Sequence, residues 1–143
     1  FKDVVNINIL NILDETVKYI FIKHPNIKKI GVMGTDVTVK KKLFNQYLMD
    51  KGIEVVVPDS LNQKRTVEVI ESVKVGDNTG SVKKKILQVI RYLIGEGVDG
   101  IILGCTEISV VLKNRELDIP LFDTAKILAI ATINRARGNI INI

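Results

Sequence analysis

The sequence predicts an α/β domain of three layers, in which a parallel sheet is covered by helices on both faces. Two observations lead to this prediction: four short, nearly continuous runs of Val, Ile and Leu, and amphipathic helical patterns between them. Such apolar runs are typical of parallel strands buried on both faces. Their alternation with helices indicates βαβ units, so we expect a flavodoxin-like lobe. The predicted strands cover residues 29–33, 53–57, 100–103 and 119–122.

Five predicted helices connect and follow these strands. The clearest pattern lies in residues 81–96, where apolar residues recur at helical spacing from Ile86 to Ile94. Gly52 and Gly97 follow two of the helices, where glycine often ends a helix. The predicted helices cover residues 37–51, 61–75, 81–96, 107–113 and 124–136.

The N-terminal segment does not fit into that lobe. Residues 4–9 have the pattern of a strand, and residues 14–21 that of a helix ending before His24 and Pro25. Residues 7–11 resemble residues 119–123, and a predicted helix follows each segment. We therefore expect two related lobes that each pass a helix across to the other, with one lobe complete here. An unpaired apolar strand exposes an edge, so we also expect self-association as a homodimer.

The composition excludes several classes of protein. The chain has 143 residues and a net charge of +5, which fits one soluble domain. The lysine triplets at residues 40–42 and 83–85 lie in predicted amphipathic helices without aromatic residues between them, so we expect no nucleic-acid partner. No apolar run reaches the roughly 18 residues that a membrane span needs. One cysteine, Cys105, and one histidine, His24, form neither a disulfide nor a metal cluster, and we expect a cytoplasmic protein without a metal.

Ligands of open α/β sheets bind at the carboxyl ends of the strands, and here those ends carry hydroxyls and one thiol. Cys105 follows a predicted strand and begins a helix, where backbone N–H groups and the helix dipole favour a thiolate. Thr106 lies beside it, and Thr35 and Thr38 follow the first strand. Either threonine of that first loop also suits a helix cap.

Spacing excludes several other cysteine and phosphate chemistries. A phosphatase loop needs an arginine six positions after the cysteine, where this chain has Val111. Gly31 and Gly34 do not have the spacing of a dinucleotide fingerprint, and no P-loop is present. A receiver domain needs an aspartate where the chain has Gly104 and Cys105, and a cysteine protease needs a histidine better placed than His24.

Four segments together resemble the aspartate/glutamate racemase superfamily. Residues 104–108, Gly-Cys-Thr-Glu-Ile, are similar to its second cysteine motif, and residues 31–43 to its substrate-binding loop and following helix. Residues 72–76 resemble the stretch that carries a substrate-facing lysine, here Lys74. Residues 119–124 resemble the last strand and crossover helix.

The resemblance implies a cofactor-independent racemase that needs two cysteines, one from each of two pseudosymmetric lobes. Residues 1–26 then correspond to the last strand and crossover helix of a first lobe that is otherwise missing. Residues 27–123 correspond to the second lobe, and residues 124–143 to its crossover helix and tail. The resemblance implies that Cys105 transfers a proton on one face of the substrate. Because the second cysteine is missing, we expect the isolated chain to be inactive.

The resemblance also implies the substrate and its contacts. Thr35, Thr38 and Thr106 would hold a carboxylate, and Lys74 would pair with a second one, which favours a small dicarboxylic amino acid such as aspartate. Glu107 is expected mainly to stabilise the start of a helix. Two alternatives stay open: a single-cysteine enzyme of the arylmalonate decarboxylase type, and a non-catalytic remnant that binds a ligand or dimerises.

Overall fold

A computed structural model describes residues 9–112 and 117–138 of the chain. Most of the strand predicted at residues 4–9 falls outside the described residues, as does the end of the helix predicted at 107–113. The described elements are four strands, β1 (Lys29–Met33), β2 (Glu54–Val56), β3 (Gly100–Leu103) and β4 (Leu121–Asp123), and seven helices, α1 (Ile12–Lys23), α2 (Asp36–Lys40), α3 (Asn45–Met49), α4 (Ser60–Lys74), α5 (Gly80–Gly95), α6 (Thr106–Leu112) and α7 (Thr124–Ala136).

The four strands form one parallel sheet in the order β2-β1-β3-β4. The register pairs Gly31 with Ile101, and Ile102 with Phe122. Helices cover both faces of the sheet, which confirms the predicted three-layer α/β fold. Each of the four strands lies within one or two residues of its predicted position.

Alternation along the strands divides the core in two. On β1, Ile30 and Val32 join the core formed with α1, α3 and α7, while Met33 joins the core formed with α4, α5 and α6. Ile101 and Ile102 of β3 divide in the same way. This period of two within continuous apolar runs is what a strand buried on both faces requires.

The prediction of one helix over residues 37–51 is wrong. The chain instead forms α2 and α3, separated by a turn in which Lys42 adopts a left-handed conformation with φ +52°. Val39 and Phe44 are both buried, although residues five apart lie about 140° apart around a helix. Breaking the helix lets Phe44 and Leu48 enter the core while the lysines stay in solvent.

Helices α1 and α7 lie beside each other on one face of the sheet. Val17 and Ile20 of α1 pack into the same core as Ile127 of α7. The hydroxyl of the buried Thr124 donates to the carbonyl of Leu103 over 3.1 Å, which fixes the start of α7 against β3. Within the described residues, no helix combines the length and apolar character needed to cross a bilayer.

Candidate active site

Two loops meet at the carboxyl ends of β1 and β3. The N–H of Gly104 donates to the carbonyl of Met33 over 2.8 Å. A Cβ built on Gly104 would lie 3.0 Å from that carbonyl oxygen and 3.2 Å from Cγ2 of Thr38. The loop that carries Cys105 therefore lies directly against the loop that carries Thr35 and Thr38, and this contact leaves little room for a side chain at position 104.

The two threonines of the first loop form one hydrogen-bonded unit. Thr35 is the N-cap of α2, and its hydroxyl oxygen accepts from the N–H of Thr38 at 3.4 Å. The two hydroxyl oxygens are 3.2 Å apart. Thr38 is 8% exposed and packs against Gly34, whereas Thr35 is half-buried. Thr35 is thus the more accessible of the two threonines.

The thiol of Cys105 lies next to a carboxylate. Its Sγ donates to Oε2 of Glu107 over 2.9 Å, and the hydroxyl of Thr106 donates to the same oxygen over 3.0 Å. Cys105 is half-buried and Thr106 is exposed. The half-buried thiol therefore lies at the carboxyl edge of the sheet, beside a carboxylate that accepts its hydrogen bond.

The expectation that Cys105 favours the thiolate is wrong for this structure. Burial raises the pKa of the Cys105 thiol to about 11, and the hydrogen bond and negative charge of Glu107 contribute further to that rise. The hydrogen bonds from the Cys105 thiol, from the backbone and from Thr106 lower the pKa of Glu107. Burial, together with a full negative charge within hydrogen-bond distance, outweighs the partial charge of a helix end, so the resting pair is a thiol beside a carboxylate.

Lys74, the last residue of α4, extends the electrostatics of this site. Its ammonium lies 2.8 Å from Oε1 of Glu71, and this hydrogen bond is the main reason why the pKa of Lys74 is raised. Glu107 and Cys105 raise the same pKa by smaller amounts. The ammonium is thus within electrostatic range of the thiol while it is paired with Glu71. Helix α4 also packs against α6, the helix that begins at Thr106, and the substrate roles of Lys74, Cys105 and Thr106 stay predictions.

The sequence did not single out Gln63, which joins α4 to the first loop. Its side-chain Nε2 donates to the carbonyl of Gly34 over 3.1 Å and to Oδ1 of Asp36 over 3.0 Å. Gln63 lies one turn before the buried Thr66 and two turns before the buried Ile70, so it is a polar residue on the buried face of the helix. A polar residue at a core-facing helix position was the available signal.

The carboxylate of Glu107 was assigned only a minor role from the sequence. Its signal was its position two residues after the one cysteine. Asp59 is the N-cap of α4 and accepts from the N–H of Asn62 over 2.8 Å. Across residues 9–112 and 117–138, no cluster of three or more His, Cys, Asp or Glu side chains is arranged to hold a metal ion.

The sequence pattern described as Asp/Glu/Hydantoin racemase matches residues 1–132 of the chain. Among curated relatives, the broad specificity amino-acid racemase RacX of Bacillus subtilis (strain 168) is 29% identical over 133 residues, which is 93% of this chain and 56% of that protein.

Two solved structures have the same fold. An aspartate racemase homologue from Pyrococcus horikoshii OT3 is similar with a TM-score of 0.83 and 29% identity, covering 95% of this chain and 59% of its own. The Picrophilus torridus aspartate racemase gives a TM-score of 0.77 and 30% identity, covering 94% and 55%. The chain therefore spans little more than half the length of each of these proteins.

Proposed function

Because the chain belongs to the Asp/Glu/hydantoin racemase family, we propose that it forms one half of the active site of a cofactor-independent amino-acid racemase. Cys105 transfers the α-proton on one face of the substrate, and a second group outside this chain acts on the other face. The observation that carries the proposal is the 2.9 Å hydrogen bond between Sγ of Cys105 and the carboxylate of Glu107. It supports a thiol that exchanges its proton with an adjacent base.

Racemisation requires that a proton leave the α-carbon on one face and that another arrive on the opposite face. In one direction the Cys105 thiol gives its proton to the α-carbon and becomes a thiolate. In the other direction Glu107 first accepts the thiol proton and releases it to solvent, and the resulting thiolate removes the α-proton and becomes a thiol again. In the first direction the same route, run backwards, returns a proton from solvent to the thiolate. The pKa of about 11 supports a thiol in the resting state, and the lowered pKa of Glu107 means that it receives the proton only transiently.

We assign the substrate carboxylates to Thr35, Thr106 and Lys74. Hydroxyl donors beside the α-carboxylate would stabilise the charge that develops when the α-proton leaves. An ammonium in electrostatic range of the thiol suits the second carboxylate of a small dicarboxylic amino acid such as aspartate. Lys74 would then exchange its partner Glu71 for the substrate. Thr38, which is buried, holds the hydroxyl of Thr35.

The division into two half-sites is part of the proposal. It is supported by the single cysteine of the chain and by the share of the relatives' length that the chain covers. In this proposal, residues 1–26 belong to the first lobe and cross over to the second. Residues 124–143 belong to the second lobe and cross over to the first. We also propose that the protein lies in the cytoplasm, because a free thiol that must cycle between protonation states needs reducing conditions.

The decisive experiment measures exchange of the α-hydrogen of L-aspartate in D2O by NMR, together with formation of D-aspartate. We expect neither product with the 143-residue chain alone. In a protein that carries both lobes we expect both, and Cys105→Ser should reduce turnover by about 10²-fold or more. Formation of D-aspartate by the isolated chain would contradict the half-site proposal, and full activity of Cys105→Ser would contradict the role of Cys105.

A one-face decarboxylase of the same family is the second candidate. The raised pKa of Cys105 favours it, because a thiol that stays protonated is suited to donating a proton to an enolate on one face. Assaying decarboxylation of an aryl-substituted malonate beside racemisation of aspartate separates the two functions.

A further inference from the structure

We propose that Gln63 is a positioning residue that orients the Gly34–Thr35 peptide for binding of the substrate carboxylate. This inference rests on the proposed function and adds a residue to the same site. Nε2 of Gln63 donates to the carbonyl oxygen of Gly34 over 3.1 Å. In a trans peptide the C=O and the following N–H point in opposite directions. Holding the Gly34 carbonyl toward α4 therefore directs the N–H of Thr35 away from α4.

The amide of Gln63 has a fixed orientation. Its Nε2 faces two acceptors, the Gly34 carbonyl and Oδ1 of Asp36. Rotating the amide by 180° would place its oxygen against both acceptors and remove both hydrogen bonds. Because Asp36 is the first residue of α2 and Thr35 is its cap, the two bonds of Gln63 fix the loop on both sides of Thr35.

The oxygen of the same amide indicates that Gln63 serves to orient the loop and not to stabilise the chain. Gln63 is 8% exposed, and its Oε1 is buried with no hydrogen-bond partner among the residues that the structure describes. A buried acceptor without a partner is costly. An apolar side chain of similar size would avoid that cost but would remove the donor that holds the Gly34 carbonyl.

The rest of α4 gives Gln63 a rigid base. Asp59 caps the helix start through the N–H and the side-chain Nδ2 of Asn62, at 2.8 and 2.9 Å. The hydroxyl of the buried Thr66 donates to the carbonyl of Asn62 over 2.9 Å. The same helix ends at Lys74, so one element carries both Gln63, which holds the Thr35 loop, and the ammonium assigned to the second substrate carboxylate.

Alkylation of Cys105 tests this in the chain itself, without turnover. Iodoacetate and iodoacetamide react identically: the thiolate forms a carbon–sulfur bond and iodide leaves. They differ in the carboxylate that only iodoacetate presents. We therefore divide the rate constant for iodoacetate by that for iodoacetamide and compare this ratio with the same ratio for N-acetylcysteine amide. The comparison measures carboxylate recognition next to Cys105, because a change in the thiol pKa affects both rate constants alike and cancels.

We expect the ratio for the wild-type chain to exceed that of the small thiol. Gln63→Met should lower it by about two- to tenfold, the effect of one hydrogen bond, with an unchanged iodoacetamide rate. Gln63→Glu should lower it further, since an ionised carboxylate faces the Gly34 carbonyl and Asp36 without a donor. Gln88→Met, on the exposed side of α5, is the matched control and should leave the ratio unchanged.

The outcomes separate the inference from the proposed function. A wild-type ratio equal to that of the small thiol would contradict a carboxylate site next to Cys105 and, with it, the proposed function. A raised wild-type ratio that persists in folded Gln63→Met would overturn the role of Gln63 alone. Circular dichroism checks folding; if Gln63→Met does not fold, Gln63→Glu decides the question, because a wild-type ratio in that variant is incompatible with the proposal.

Discussion

Sγ of Cys105 donates to Oε2 of Glu107 over 2.9 Å, two residues along the same strand-to-helix turn. The thiol and the carboxylate thus form a pair in which only one group carries charge at neutral pH. The hydroxyl of Thr106 donates to the same carboxylate oxygen, which keeps that oxygen directed at the turn. The acidity of the thiol is therefore set by its burial and by a neighbour that can itself take the proton.

Replacing the carboxylate should make the thiol more acidic. In Glu107→Gln the negative charge that raises the pKa of Cys105 is gone, so the thiolate fraction at pH 8 should rise and iodoacetamide should react about three- to tenfold faster. In a two-lobed enzyme the same variant should lose about 10²-fold in turnover, because the proton acceptor is lost. Rates of alkylation and racemisation measured from pH 7 to 11 check both effects.

Glu96→Gln is the control for this variant, since Glu96 lies exposed at the end of α5. It should change neither rate. A Glu107→Gln protein that reacts with iodoacetamide at the wild-type rate would show that Glu107 does not raise the pKa of the thiol.

The stability of the chain should fall at alkaline pH because of Cys105. The pKa of its thiol is about 11 in the folded chain against an ordinary value of 9.0, so the unfolded chain releases this proton first. The contribution to stability is complete below pH 9 and is lost as the pH rises to about 11. We expect Tm to fall more steeply over this range in the wild type than in Cys105→Ser. Parallel curves of Tm against pH would contradict the raised pKa.

Adding a methyl group at Gly104 should separate the two loops of the site. Its Cβ would lie 3.0 Å from the Met33 carbonyl oxygen and 3.2 Å from Thr38. Gly104→Ala should therefore lower the free energy of unfolding by about 1–3 kcal/mol. Gly95→Ala, where a Cβ has nothing within 4 Å, should raise it by about 0.5–1 kcal/mol. Urea denaturation of both variants gives the comparison, and equal effects would argue against the close contact.

The turn between α2 and α3 should accept glycine better than lysine. Lys42 has a φ of +52°, which is unfavourable for a residue with a side chain. Lys42→Gly should stabilise the chain by about 0.5–1 kcal/mol. The neighbouring Lys41→Gly, where φ is −82°, should destabilise it by a similar amount. If urea denaturation ranks the two variants in the opposite order, the left-handed turn is not formed in solution.

The sheet was predictable because its strands are buried on both faces. Residues 29–33 and 100–103 are apolar almost throughout, and few structures other than a central parallel strand use such a short continuous run. The position of Cys105 at the edge of the sheet followed from the same pattern. Because Cys105 follows the last residue of β3 by two positions, placing β3 also places the cysteine at this edge of the sheet.

The errors arose where tertiary contacts override local pattern. Residues 37–51 have helical spacing, but burying both Val39 and Phe44 needs a break that helix propensity does not reveal. The thiol's acidity was misjudged because a helix start indicates a thiolate, whereas the rotamer that brings Glu107 to the sulfur is a property of packing. Gln63 was missed because its partners, Gly34 and Asp36, lie 29 and 27 residues earlier in the chain.

Helix α4 sets a fixed separation between two residues of the proposed site. Gln63 and Lys74 are eleven positions apart, about 17 Å along the axis of one helix. Inserting one residue between them would turn Lys74 through about 100° and carry its ammonium away from the thiol, even if every side chain of the site were retained. The relative placement of the two proposed carboxylate contacts therefore depends on the length of α4 as well as on the residues that touch the substrate.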